Sequence, residues 1–256
     1  MTKETVSLLD VDADLGADLS PSERERAQRI LTVSTIRVEA GRWNAHALGP
    51  PAKSLFGVLI AQGRMRRSLS LGARETTHLF GPGDVIRPWD DDDTVCPLPA
   101  DPRWSAIEDA ELALLDRRFV AAAAGWPPIL IELSRRSSRQ SSRTMLQAAI
   151  AAVPRVDHRV LLLLWRLGER WGRMTPAGIL LPIPLTHQTI AGLIGARRPA
   201  VTSALTALGR EELVQRRDDG WLIDRGAEQT LRDAFRTRST GRFVRDPVDA
   251  DGVAAV

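Results

Sequence analysis

The sequence predicts an α+β chain: a β-rich N-terminal half folded as a sandwich or barrel, a long central helix, and a C-terminal winged helix-turn-helix. Three observations carry this. Between Thr32 and Leu115, short apolar runs are separated by glycine turns, at the spacing of roughly ten residues that marks an antiparallel sandwich or barrel. From Ile129 to Val153 the chain runs without proline or glycine. Leu185 to Leu208, LTHQTIAGLIGARRPAVTSALTAL, carries two helical periodicities about a glycine, and a hairpin signal, Asp218-Asp219-Gly220, follows it.

Taken in order, residues 1–20 hold five acids against one lysine and no apolar core of the kind a signal peptide needs. They are expected to form a flexible arm. Ser20-Pro21-Ser22-Glu23 has the serine, proline and glutamate of a helix start, and the helix runs to about Leu31. The barrel is assigned to 21–126. Its strands lie around Ile36–Glu39, Phe56–Ile60, Arg64–Leu71 and Thr76–Phe80, with two last strands over Trp104–Leu115. Gly81-Pro82-Gly83-Asp84 places proline and glycine as a type II turn wants them, and reads as structural. Asp116–Ala124 is a short helix, broken by Gly125-Trp126-Pro127-Pro128.

The long helix is assigned to 127–153; its uninterrupted stretch would span roughly 37 Å. Leu130, Leu133, Ser137, Ser141, Met145, Ala148 and Ala152 fall near one stripe, which would pair either with a second copy or with the chain's own barrel. Arg135, Arg136, Arg139 and Arg143 read as a solvated face. Pro154 marks a hinge, and Val156–Trp171 is an amphipathic helix with Val160, Leu164, Leu167 and Trp171 on one side. A closing helix is expected over Ala227–Phe235, within a winged unit assigned to 154–236. Residues 237–256 are polar and tail-like, and are expected to be disordered.

The helix pair holds the densest signal. Ile190, Ala191 and Ile194 give its first helix an apolar face, and Val201, Ala204, Leu205 and Leu208 do so for the second. Gly195 stands where a sharp reversal needs the left-handed conformation, and Ala191 is small enough for a close crossing. A helical hairpin buried in a core would share this pattern. Against that, Arg197, Arg198, Ala200, Thr202 and Ser203 leave the outer side of the second helix free of acids, as suits a helix lying in a DNA major groove. Leu213 to Ile223, LVQRRDDGWLI, would form the wing, and Gly178–Pro184 an added strand. Arg216 and Arg217 then either face phosphate or form a solvated pair.

Composition narrows the class. All basic residues but Lys3 and Lys53 are arginine, the residue suited to bidentate contacts with phosphate and guanine. Residues 155–236 hold 13 arginines against 9 carboxylates, a local excess that agrees with nucleic-acid binding. A single cysteine, Cys96, excludes an internal disulfide and a cysteine-built metal site. No apolar run approaches a membrane span, so no membrane partner is expected and the expected location is the cytoplasm. Asp90–Asp93 lack the spacing and the terminal glutamate of a calcium loop and read as a solvated loop. His46, His78, His158 and His187 lie far apart with no nucleophile motif. No enzyme activity, metal or cofactor is expected.

The segments LTHQTIAGLIGARRPAVTSALTALGREELV and RRDDGWLI resemble the C-terminal domain of the Crp/Fnr family of bacterial transcription regulators. The resemblance is specific over about 155–225 and loose before it. It implies a jelly-roll β-barrel, a dimerisation helix over 127–153 and a winged helix-turn-helix. The implied function is sequence-specific binding of double-stranded DNA as a homodimer on a near-palindromic site, with RNA polymerase a candidate partner. It further implies that Arg198 reads guanine, that Arg197 opens the recognition helix, that Thr186 caps the first helix where a phosphate binds, and that Ala200, Thr202, Ser203, Arg216 and Arg217 complete the DNA surface. Two departures matter. Pro199 stands where relatives often have a cytosine-reading glutamate, so their operator does not carry over. Residues 85–103, VIRPWDDDDTVCPLPADPR, lack the Gly-Glu step and the phosphate-holding arginine of cyclic-nucleotide sensors, so control by cyclic AMP is not expected and the effector is unknown. The alternative from another class is a small-molecule sensor or protein-interaction module whose winged helix contacts protein.

Overall fold

The computed structural model describes residues 3–48, 56–72, 74–93 and 100–239. The chain opens with strand β1 (Lys3–Ser7), helix α1 (Leu8–Val11) and helix α2 (Pro21–Ile30). Eight strands follow: β2 (Thr32–Val38), β3 (Gly41–Trp43), β4 (Gly57–Gln62), β5 (Met65–Leu71), β6 (Arg74–Phe80), β7 (Val85–Ile86), β8 (Ala100–Ala106) and β9 (Ala110–Leu115). Then come α3 (Arg117–Ala123), α4 (Pro127–Ala152) and α5 (Val156–Trp171). The C-terminal part holds β10 (Arg173–Thr175), β11 (Gly178–Leu181), α6 (His187–Ile194), α7 (Arg198–Arg210), β12 (Val214–Arg217), β13 (Gly220–Ile223) and α8 (Gly226–Ser239). Cys96 and residues 240–256, which hold most of the expected tail, lie outside the described residues.

Two antiparallel sheets, ordered β1-β2-β9-β4-β7 and β3-β8-β5-β6, make the N-terminal unit. Alternate residues of both sheets turn inward, as a two-sided core requires. The interior is filled by aromatic side chains: Trp43 meets Trp104 edge-on at 6.3 Å, Phe80 lies 5.2 Å from Trp104, and Trp89 is buried in the same cluster.

The expectation of a flexible arm over residues 1–20 is corrected from Lys3 onward. β1 pairs with β2 from Lys3↔Ile36 to Ser7↔Thr32. Leu8, Leu9 and Leu15 are buried beside Phe119, Ile129 and Leu133. Burying these leucines offsets the ordering entropy of a segment whose overall composition is acidic. Asp12 carries a specific partner, the Arg136 guanidinium of α4. α2 begins as the sequence requires, with Ser20 and Glu23 forming a reciprocal capping box.

α4 turns an inner stripe of Ile129, Leu133, Arg136, Gln147 and Ile150 toward its own chain. The expectation that Arg135, Arg136, Arg139 and Arg143 form one solvated face is therefore half wrong. Arg135 and Arg139 are exposed, whereas Arg136 is buried against Asp12, Glu132 and the Gly83 carbonyl. Arg143 bonds Asp84 at 2.6 Å. Of the expected stripe, Leu133 is buried and Ser137, Ser141, Met145, Ala148 and Ala152 face outward.

The winged unit is docked on the barrel. Asp84, in the Gly81–Asp84 turn, accepts from Arg143 of α4 and from Arg170 of α5 at 2.6–2.7 Å, and from the Gly81 amide at 2.9 Å. Gln147 Nε2 donates to the Thr77 carbonyl of β6 at 2.5 Å and to the Leu193 carbonyl of α6 at 3.0 Å. At Gly192 a Cβ would stand 2.4 Å from Thr77 Oγ1, so only glycine lets α6 lie this close to β6. Leu79 of β6 and Ile150 of α4 complete the apolar core of the winged unit. The turn read as merely structural thus joins three elements.

Candidate nucleic-acid interface

The local sequence dictates the motif geometry. Thr186 caps α6, accepting from the Thr189 amide at 3.1 Å, while the His187 and Gln188 amides of the first turn have no intrahelical acceptor. α6 ends at Gly195 with φ 63°, ψ 35°, the left-handed conformation that releases the chain into a reversal. Arg197 is the N-cap of α7 and Arg198 its first residue. Pro199 sits in the first turn, where its missing N–H would have no intrahelical partner. Val201, Ala204, Leu205 and Leu208 bury the inner side of α7 against the core.

Beyond α7, the hairpin of β12 and β13 closes with Arg217 opposite Gly220, so the turn is Asp218-Asp219, one residue earlier than an Asp-Gly turn would put it. The added strand is β11, paired with β13, and β10 extends the sheet beside it.

Four of the predicted residues line one open groove of about 1080 Å³: Thr186, Arg198, Thr202 and Arg216. Arg198, Thr202 and Thr206 form its floor along α7, and His187, Gln188 and Trp221 close the sides. Thr202 is held in place, with its hydroxyl 2.9 Å from His187 Nδ1 and donating to the Arg198 carbonyl at 3.1 Å. Arg216 stacks over Trp221 at 4.9 Å and reaches the Leu185 carbonyl at 3.4 Å, which fixes its stem while the residue stays exposed. Cation–π packing of this kind orders an arginine without neutralising it.

The other predicted residues stand outside this groove. Arg197 and Ser203 are exposed on the neighbouring side of α7, where Ser203 donates to the Pro199 carbonyl at 3.2 Å. Arg217 is exposed and hydrogen-bonded to Gln215 at 2.8 Å. Ala200 is half-buried and offers little beyond its methyl group. His187, Gln188 and Thr206 were missed by sequence reasoning. Thr206 was legible, since it follows Arg198 and Thr202 at a spacing of four on one helix face.

Among the described residues, no group of His, Cys, Asp and Glu is placed to hold a metal ion. No described helix is long and apolar enough to cross a membrane.

Comparison with known proteins agrees with this geometry. Residues 158–227 match the Crp-like helix-turn-helix domain. The chain matches no curated protein sequence. Among solved structures, it superposes on a mutant CooA from Carboxydothermus hydrogenoformans with TM-score 0.61 and 17% identity, covering 90% of this chain and 95% of the other. FixK2 from Bradyrhizobium japonicum gives 0.58 and 17%, over 78% and 96%. A CRP family transcriptional regulator from Thermus thermophilus gives 0.57 and 20%, over 77% and 95%. The chain therefore has the architecture of Crp/Fnr regulators, and its residues 158–227 form a Crp-like helix-turn-helix domain.

Proposed function

We propose that this protein is a DNA-binding transcription regulator that reads a near-palindromic duplex site as a homodimer. The observation that carries the reading is the exposed, acid-free side of α7, with Arg198 and Thr202 flanked by Thr186 and Arg216 in a single groove. Arg198 would hydrogen-bond a guanine edge in the major groove. Arg197, Ser203 and Arg217 would border that contact, and Arg216 and the first turn of α6 would meet phosphates. A second copy would pack along α4. Its outer side exposes Ile131 (50%), Met145 (75%) and Leu146 (50%) around Ser134, Ser138 and Ser142, small residues that let two helices approach closely. Two recognition helices would then sit roughly 34 Å apart, one turn of DNA.

The test is selection of bound duplexes from a random pool, followed by titration of the selected site and light scattering of the complex. A symmetric site, salt-dependent binding and two chains per duplex are expected. Equal affinity for all sequences at near-physiological salt would refute specificity, and a single chain on the site would refute the dimer.

A further inference from the structure

The outer face of the β3-β8-β5-β6 sheet is rich in arginine. Register places Arg42 and Arg66 on either side of Ser105, Arg103 opposite Ser68, and Glu75 across from Ser70. The inward face of the same strands carries Met65, Trp43, Trp104 and Phe80. Thr77 and Leu79, on the outer face of β6, are consumed by the contact with the winged unit. Beyond that contact, the segment Pro184–Thr189 passes over the sheet and leaves a cleft of about 410 Å³, within the usual size of a small-molecule site.

The cleft is lined by Arg42, Arg66 and Arg103, with Glu75 its carboxylate, and by the apolar Ile107, Pro184 and Leu185 at one end. Arg66 is half-buried and donates through Nε to Ser105 Oγ at 3.0 Å. No described carboxylate pairs with it, and Arg42 pairs with no described residue. Arg103 is shared between Asp101 at 3.2 Å and Ser70 at 2.7 Å. Arg42 and Arg103 are exposed at the mouth of the cleft and only Arg66 is half-buried, so the three guanidinium groups stay hydrated. Together they outweigh Glu75 and Asp101 in charge, a local excess that favours an anion. Planar N–H forks match phosphate oxygens two at a time, and three of them around one head suit a group presenting three oxygens.

We propose that this cleft binds a compact phosphate monoester, its head between Arg42, Arg66 and Arg103 and its body against Ile107, Pro184 and Leu185. Such a ligand would touch both the barrel and the segment that leads into α6. The assignment stands on the cleft itself and does not depend on how the winged unit meets DNA.

The test is calorimetry of the full chain with glycerol 3-phosphate and with inorganic phosphate, in chloride buffer. Wild type, Arg66→Gln and Arg42→Gln are compared, each first shown folded by thermal melting, with Arg198→Gln as a control on the recognition helix. Saturable one-to-one binding is expected, tighter for glycerol 3-phosphate. Arg66→Gln should weaken it at least tenfold, Arg42→Gln several-fold, and Arg198→Gln not at all. The proposal is overturned if wild type binds neither probe, if both cleft variants bind as wild type does, or if Arg198→Gln abolishes binding. A duplex titration separates the other source of phosphate. If Arg66→Gln lowers the salt slope of DNA binding by about one unit, the cleft holds DNA backbone and the small-ligand assignment falls.

Discussion

Asp84→Asn is the sharpest perturbation of the docked arrangement. The carboxylate is 4% exposed and accepts from Arg143 and Arg170, whose side chains are 29% and 20% exposed. A third guanidinium belongs to the same cluster: burial lowers the proton affinity of Arg166, and Arg170 and Arg143 lower it further. Burial likewise lowers that of Arg170, and Asp84 works against the shift. Asparagine keeps the shape and one acceptor for the Gly81 amide but removes the negative charge that Arg143 and Arg170 share. Stripping one partner from a buried ion pair costs about 3–5 kcal/mol. Because both arginines reach some water, the lower end applies, about 3 kcal/mol. Urea denaturation reads this directly, as a lower midpoint at unchanged slope. Adding Arg170→Gln should recover part of the loss, because an unpaired charge is removed with it. A loss under about 1 kcal/mol for Asp84→Asn, with no coupling to Arg170→Gln, would refute the three-way contact.

The same geometry sets three further outcomes. Burial, followed by the Arg166 charge, lowers the pKa of His78 to about 4, with Arg67 and Arg170 adding to the shift and Asp84 opposing it; the ring stays neutral and lies 2.7 Å from Gln140 Nε2. An unfolded histidine titrates near 6.5, so the unfolded chain binds the extra proton first: stability is complete above about pH 6.5 and falls toward pH 4, by up to about 3 kcal/mol. His78→Gln should flatten that slope in urea titrations across pH, and an unchanged slope would refute the assignment. Gly192→Ala should cost about 1–3 kcal/mol by overpacking against Thr77; Thr77→Ala should relieve part of it in the double variant, since Thr77 Oγ1 is the nearest atom, and additive losses would place α6 elsewhere. Finally, Arg198→Ala should cost about 1–3 kcal/mol on the selected duplex and flatten preference at one position per half-site. Arg216→Ala should weaken all duplexes alike and reduce the salt slope by about one. An unchanged ranking of single-base variants for Arg198→Ala would remove it from the base-reading role.

The elements legible in the sequence were those with local causes. Apolar periodicity after the break at Pro154 gave α5 its limits at Val156 and Trp171, and Gly195 marked the reversal between α6 and α7. Side-chain destinations set by distant partners were not legible. Arg136 and Arg143 look like Arg135 and Arg139 until the helix is phased, yet Ile129, Arg136, Arg143 and Ile150 recur every seven residues along one side of α4. Anchoring the phase on the two isoleucines instead of on Leu130 would have turned those two arginines inward. In residues 1–20, counting acids obscured Leu8, Leu9 and Leu15, which have no regular period because β1, α1 and a short turn follow each other within a few residues. The groove of α7 was legible for its helical residues. His187 and Gln188 entered it only through the crossing of α6 and α7, which spacing alone does not fix.

The sharing of Leu79 and Ile150 with the winged unit bears on how the chain folds. A unit whose core borrows a strand residue from so far upstream cannot complete itself during synthesis until the barrel already exists. Its closure depends on contacts of high sequence separation, which are slow to form. Cut away at Pro154, residues 154–239 would expose the apolar side of α6 that rests on β6, a surface prone to self-association. Melting should accordingly give one cooperative transition for barrel and winged unit together, because neither half of the shared core survives the loss of the other.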